Sequence, residues 1–315
     1  MKIARSLSQL TRDTNSVVTV GTFDGIHLAH REIIREVVNR SKMKEGRSVI
    51  VTFDPHPKEV VSSSRGGVAL LSTIDERVDL LSRLNVDLLF IIQFTFAFSR
   101  LSPRDFYQTY VVNGIGVGEV VVGYDHMFGR DREAGIQELV RMGQEFDFSV
   151  FAVHPYTVDG EAVGSSAIRS ALAAGDIERA KKFLGYAYGL QGTVVAGDGR
   201  GKTIGYPTAN IRPDSDKKVI PGRGVYLVGV QVGSVQRYGM MNIGVRPTVT
   251  DAVEQTIEVH MFDFARDVYG EKVAISFLKK LREEQKFASI KELIHQLGRD
   301  KEQSLRYLAE YVKQQ

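Results

Sequence analysis

No cysteine occurs among the 315 residues. That absence removes disulfides, thiolate metal sites and cysteine nucleophiles together, and it suits a reducing cytosol. An excess of either charge is also lacking, with a formal net charge of only +3. Neither a broad basic field nor a basic run interleaved with aromatics is present, so nucleic acid is not an expected partner. The small positive excess lies in the second half, which suits a phosphate-bearing substrate. No apolar run approaches the length of a membrane span, and the opening MKIARSLSQLTRD lacks the apolar core of a signal peptide. The expectation is a cytoplasmic protein with no membrane partner. What is present is the balance of a globular chain, 43% hydrophobic and 25% charged, and long enough for two domains.

The first half alternates short apolar runs with helical patterns. Residues 17–20 (VVTV), 48–53 (SVIVTF), 86–92 (VDLLFII) and 119–123 (EVVVG) read as strands buried on both faces. A further strand is expected at 148–153, with helices at 165–174 and 176–184. Thr73 and Glu76 form a capping-box pair, and Ser102-Pro103 sets a cap before a proline. This order predicts an α/β domain built on a doubly wound parallel sheet. Beyond Gly185 short strands follow closely, at 190–196, 225–232, 235–243, 256–262 and 272–281, with Gly233-Ser234 as a hairpin turn. They predict a small closed antiparallel β-barrel. Two helices, near 289–298 and 300–312, are expected to close the chain. The boundary falls at LGYAYG, giving domains 1–184 and 185–315.

Directly after VVTV comes Gly21-Thr22-Phe23-Asp24-Gly25-Ile26-His27-Leu28-Ala29-His30, opening a helix. Glycine permits close approach of a ligand, and a helix start offers free N–H groups and a positive dipole end. His27 and His30, three residues apart, share a face there. Taken alone, the pair fits a solvated helix start, a phosphate-binding pair, or a metal pair completed by Asp24. Other motifs stand at later strand ends: Phe53, Pro55 and His56 in TFDPHP, Asp125 in VGYD, and Ser165, Ser166 and Arg169 in GSSAIR. Four such motifs at successive strand ends point to one nucleotide site.

The second half contains Gly197-Asp198-Gly199-Arg200-Gly201-Lys202-Thr203. It is not a P-loop: Ala196 stands where the first glycine belongs, and Ile204-Gly205-Tyr206-Pro207 breaks the helix that should follow. Thr208 and Asn210, two apart in an extended segment, face the same way and offer hard oxygen ligands for Mg²⁺ carried by a nucleotide. Glu258 shares a strand face with Thr256, His260 and Phe262, and a carboxylate there can accept a proton from an attacking alcohol.

These motifs together resemble the bacterial bifunctional riboflavin kinase/FAD synthetase family, over nearly the whole chain. GTFDGxHxAH, TFDPHP, VGYDxxFG and GSSxIR resemble its adenylyltransferase half, a member of the nucleotidyltransferase superfamily. GRGKTIGYPTANI, PGRGVY, NIGVRPT, EVHMFDF, DVYG and LREEQKF resemble its kinase half. The resemblance implies riboflavin, FMN, FAD and ATP as substrates and products, with Mg²⁺ accompanying ATP. It implies that Gly21, Thr22, Phe23 and Asp24 border ATP, and that His27 and His30 meet its phosphates. Ser165, Ser166 and Arg169 would hold departing pyrophosphate, with FMN near the Phe53–His56 turn and Asp125. In the kinase half, Gly199, Gly201, Lys202, Gly205 and Pro207 would form a loop over ATP, and Thr208 and Asn210 would position Mg²⁺ and phosphates. Glu258 would activate the ribityl 5′-hydroxyl, with Asn242 and Arg246 lining the site and Arg282 either lining it or forming a structural ion pair. Ala29 and Gly164 depart from the superfamily pattern, which has Gly and Ser there, and Ser166 stands where Thr is usual.

Overall fold

The computed structural model describes residues 1–61, 68–124, 135–197, 199–247, 253–311 and 313. The chain divides into two compact units, Met1–Ser165 and Ser166–Gln315.

Six strands form the first unit's sheet: β1 (Lys2–Ala4), β2 (Ser16–Val20), β3 (Ser48–Asp54), β4 (Leu88–Gln93), β5 (Val117–Gly123) and β6 (Ser149–Val153). Their order is β1-β4-β3-β2-β5-β6, and every pairing is parallel. Successive side chains alternate between faces, and both faces are apolar. Val18, Val49, Val51, Phe90, Val120 and Val122 face one core, while Val17, Ile50, Leu89, Ile91 and Val121 face another. The second core is covered by Ile34, Val37 and Val38 of α1 (Leu28–Met43), with α2 (Pro57–Val61) following β3, and by Leu81 of α3 (Ile74–Ser82). The first is covered by Tyr107, Val111 and Ile115, from the π-helix that continues α4 (Pro103–Phe106), and by Leu139 and Met142 of α5 (Ile136–Phe146). The doubly wound expectation therefore holds. A short hairpin, β7 (Thr157–Val158) and β8 (Glu161–Ala162), turns through Asp159 and Gly160, both at positive φ as a type I′ turn requires.

The second unit takes up α6 (Ser165–Ala173) from its second residue, followed by α7 (Ile177–Leu184). It continues as a closed antiparallel barrel of β9 (Gly189–Val195), β10 (Ala209–Pro213), β11 (Gly224–Val232), β12 (Val235–Pro247), β13 (Val253–Met261) and β14 (Lys272–Arg282), with one turn, α8 (Arg200–Thr203), after β9. The order around the barrel is β10-β13-β12-β11-β14-β9, and closure leaves no free edge. The compact units part at Ser165/Ser166, whereas the sequence pattern changes at LGYAYG; α6 and α7 lie between these positions. Both helices have local partners in the barrel unit: Gly222 N donates to Leu172 O of α6 at 2.8 Å, Lys280 Nζ donates to Ala174 O just beyond α6 at 3.4 Å, and α7 packs against β14.

One expectation needs correcting. The chain closes with a single helix, α9 (Ile290–Tyr311), not two. Gly298 in mid-helix costs only about 1 kcal/mol against alanine, and the residues beside it are firmly held. Buried Asp300 takes Arg282 Nε at 2.9 Å and Nη2 at 2.9 Å, and Gln296 Nε2 at 2.7 Å. Arg282 is thus a structural ion-pair partner fastening α9 to the end of β14. Removing one member of a buried pair strands the other charge, so Asp300→Ala should cost about 3–5 kcal/mol. Denaturant unfolding followed by a probe in the second unit measures that loss.

Candidate functional sites

In the first unit the order of strands reverses between β2 and β5, the switch point at which open α/β sheets bind ligands. The β2 end carries the GTFDG loop into α1. His27 is the N-cap of α1, its Nδ1 accepting from His30 N at 3.3 Å. The two imidazoles stack at 3.5 Å between centroids, and the Phe23 ring meets His30 edge-on at 5.2 Å. His30 Nδ1 is buried without a hydrogen-bond partner among the described residues. Burial holds the His30 pKa well below its usual 6.5, with the charges of His27 and Arg77 adding to the effect.

Asp24 was expected as a nucleotide contact, and its carboxylate is engaged elsewhere. It is 1% exposed, and it accepts from Leu71 N at 3.1 Å, Ser72 N at 2.9 Å and Ser72 Oγ at 3.2 Å. Its chemistry here is to hold the loop against residues 71–72. That leaves little for a metal pair with the histidines, and no group of three or more His, Cys, Asp or Glu able to hold a metal occurs among the described residues.

The TFDPHP turn comes to the same place. Thr52 Oγ1 donates to Thr22 O at 3.1 Å. Phe53 sits among Phe94, Phe98 and Phe106 at 5.5–6.3 Å between ring centroids. Pro55 follows Asp54 through a cis bond, and His56 caps the short α2, its Nδ1 accepting from Lys58 N at 3.2 Å. Ser165, the last residue of the first unit, donates from Oγ to Asp24 O at 3.2 Å. Ser166 and Arg169 continue along α6, Arg169 one turn beyond Ser165. A Cβ at Gly164 would meet nothing within 4 Å, so the missing serine is not excluded by crowding. Asp125 lies outside the described residues.

In the second unit, alternation along β13 turns Ile257, Val259 and Met261 into the barrel and leaves Thr256, Glu258 and His260 on its outer face, half-buried. The glycine loop lies across that face. His260 Nδ1 is 2.9 Å from Pro207 O, and its ring meets Tyr206 at 5.2 Å. This brings Thr208 Oγ1 to 3.3 Å from Glu258 Oε2, as donor. Asn210 and Asn242 are the cross-strand partners of Glu258 on either side. Three of the expected residues, Asn210, Glu258 and Asn242, therefore lie in one row across β10, β13 and β12, with Thr208 beside Glu258. Only the backbone of Arg246 is described, paired with Glu254.

The loop's glycines act in different ways. Gly199 and Gly205 have positive φ, 69° and 80°, with open space around them. Gly201 is needed for close approach, since a Cβ there would stand 2.2 Å from Tyr206 O. Lys202 is exposed. The single turn α8 lies within the glycine run and ends at Thr203, so no helix follows it, as Ile204-Gly205-Tyr206-Pro207 predicts. At four residues it is too short to present a P-loop's helix start. Gly201→Ala should displace the Tyr206–Pro207 segment, and a shift of about 1 Å in a catalytic loop can lower the rate about a hundredfold; ATP-dependent riboflavin turnover is the readout.

Sequence reasoning missed two contributors and one surface feature. A Cβ at Gly197 would stand 1.9 Å from Asn210 Nδ2, so this glycine makes room for the amide. Gly244 similarly admits Glu284 Oε1, beside the Asn242 amide. A cleft of about 480 Å³, lined by Gln285, Lys286, Phe287, Lys291, His295 and Arg299 among others, opens next to Glu284 in sequence. The LREEQKF run contained the signal for the last two.

Comparison with known proteins decides the family. A family model for FAD synthetase matches residues 9–167, and one for riboflavin kinase matches residues 184–308. The bifunctional riboflavin kinase/FMN adenylyltransferase of Listeria monocytogenes is 37% identical over 297 residues, 94% of each chain. Those of Bacillus subtilis and Escherichia coli are each 33% identical, over 302 and 303 residues. The chain belongs to the bifunctional riboflavin kinase/FMN adenylyltransferase family. A crystal structure of a Streptococcus pneumoniae protein, described as a macrolide-efflux protein, superposes with a TM-score of 0.86 at 32% identity, covering 96% of this chain and 97% of that one. That description differs from the names of the family members, and no helix among the described residues here is long and apolar enough to cross a membrane. The two family-model matches follow the two folds, parallel sheet and closed barrel, described above.

Proposed function

We propose that this chain makes both flavin cofactors in sequence, the barrel phosphorylating riboflavin to FMN and the α/β unit adenylylating FMN to FAD. The observation that carries the kinase assignment is the Thr208–Glu258 contact at 3.3 Å within the Asn210–Glu258–Asn242 row. Glu258 takes the proton of the ribityl 5′-hydroxyl, and the oxygen attacks the γ-phosphorus of ATP in line, releasing ADP. Mg²⁺ enters with ATP as part of the substrate. Thr208 Oγ1 and Asn210 Oδ1 are hard donors suited to hold it sparsely, since phosphates and water complete its shell. The Gly199–Pro207 loop covers the nucleotide, and Asn242 and Arg246 line the site.

In the α/β unit, a phosphate oxygen of FMN attacks the α-phosphorus of a second ATP and pyrophosphate leaves. His27 and His30 stand at the switch point, where an N–H from each can steady a phosphoryl oxygen as its charge grows. Gly21 and Thr22 let the backbone approach the nucleotide, and buried Phe23 supports the His30 ring. Ser165, Ser166 and Arg169 receive the pyrophosphate. The Phe53–His56 turn, with Asp125, takes the flavin. Residues 1–184 and 185–315 are the functional halves in this reading, and the cytoplasm is its setting.

Incubation of the purified chain with riboflavin, ATP and Mg²⁺, resolved by chromatography, tests the proposal. FMN should appear first and FAD after it, with release of pyrophosphate. Recovery of unchanged riboflavin from folded protein would contradict it.

A further inference from the structure

Arg77 belongs to none of the motifs, yet it is a large and fully buried side chain, 1% exposed, on α3. A guanidinium carries a heavy desolvation cost in such a place, and an apolar residue would fill the volume without it. Its Nη1 donates to Thr22 O at 2.8 Å, Thr52 Oγ1 at 3.1 Å and Phe53 O at 3.3 Å. Thr52 Oγ1 donates in turn to Thr22 O, closing a small network. Thr22 belongs to the GTFDG loop after β2, and Phe53 to the TFDPHP turn at the end of β3. One guanidinium group thus joins the loop expected to approach ATP to the turn expected to approach FMN. Its Nε is buried with no hydrogen-bond partner among the described residues. Burial lowers the Arg77 pKa, while Asp24, Asp54, Glu59 and Glu76 offset the charge, two of them in those same motifs.

We infer that Arg77 is a positioning residue for FMN adenylylation, setting the spacing between the nucleotide loop and the flavin turn so that the FMN phosphate meets the α-phosphorus. The inference rests on the adenylyltransferase reading above. The planar group matters as much as the charge: all three of these bonds leave Nη1, and a lysine would have to reach the same oxygens with an ammonium on a flexible stem. In-line attack is sensitive to small displacements, so loosening either loop raises KM for its ligand and lowers kcat together.

The test compares the wild-type chain with Arg77→Lys, Arg77→Met, Thr52→Val and Thr52→Ser. Initial rates are measured for FMN adenylylation and, on the same preparations, for riboflavin phosphorylation. Arg77→Met should lower kcat/KM for adenylylation about a hundredfold and Arg77→Lys about tenfold, with KM for both ATP and FMN raised. Riboflavin phosphorylation should stay within about twofold, as the control for an intact chain. Thr52→Val should reproduce the rise in both KM values more weakly, and Thr52→Ser, which keeps the hydroxyl, should not. A merely structural role predicts fewer active molecules, hence a lower apparent kcat at unchanged KM, and that result overturns the inference. So does an unaffected Thr52→Val, which decides the matter if the Arg77 variants do not fold. Absence of adenylylation in the wild-type chain would instead overturn the reading on which the inference rests.

Discussion

Glu258→Gln is expected to lower riboflavin phosphorylation by about 10²–10⁴-fold, the usual loss when a positioned base is removed. The amide is nearly the same shape as the carboxylate and still accepts from Thr208 Oγ1, now 3.3 Å from Glu258 Oε2. The barrel should therefore keep its fold while losing the carboxylate proposed to take the hydroxyl proton. Because Glu258 lies on the outer face of β13, the substitution leaves the Ile257, Val259 and Met261 core untouched. FMN adenylylation on the same chain should continue at the wild-type rate. Rates of FMN formation from riboflavin, and of FAD formation from supplied FMN, check both halves of the expectation. Equal loss of both activities would mean that the substitution acts through the fold.

His30→Ala is expected to do the converse, with FMN accumulating from riboflavin and FAD formation falling about 10²–10³-fold. The His30 imidazole is held neutral at pH 7 by burial first and by the charges of His27 and Arg77 next. The same depression has a consequence for stability. At pH values below 6.5 an unfolded chain binds a proton on this histidine that the folded chain resists. Stability is therefore undiminished above that pH and falls as the pH drops below it. Unfolding midpoints between pH 5 and 7 should show a steeper acid loss in the wild-type chain than in the variant. ATP should reduce that loss, since phosphate near His30 favours the protonated imidazole.

The sequence made some features legible because their signal is local. Unbroken runs such as VVTV and SVIVTF can be read as strands with two buried faces, and alternation in TIEVHM puts Glu258 on one face with Thr256 and His260. The Thr73–Glu76 capping box is present as expected, with both of its hydrogen bonds. Features that depend on distant residues were hidden. The GTFDG motif marks Asp24 as part of a nucleotide loop, but it does not show that the carboxylate accepts hydrogen bonds from Leu71 and Ser72, far along the chain. Arg77 stands in no sequence motif, and its bonds to Thr22 and Phe53 are made only across the fold. The single closing helix was missed for the same reason: Gly298 reads as a break locally, while the Asp300–Arg282 pair that fastens the helix is made across the fold. The false P-loop could be rejected on spacing alone, but the crowding of Gly197 against Asn210 needed coordinates.

The central claim is that two separate active sites share one chain, linked by FMN released from one and taken up by the other. Mixing the Glu258→Gln chain with the His30→Ala chain tests it most directly. Neither alone should convert riboflavin to FAD at an appreciable rate, although the first should adenylylate added FMN and the second should produce FMN. The mixture, given only riboflavin, ATP and Mg²⁺, should form FAD after a lag in which FMN rises. A mixture that makes no FAD, from components that each retain their own half-reaction, would contradict the account.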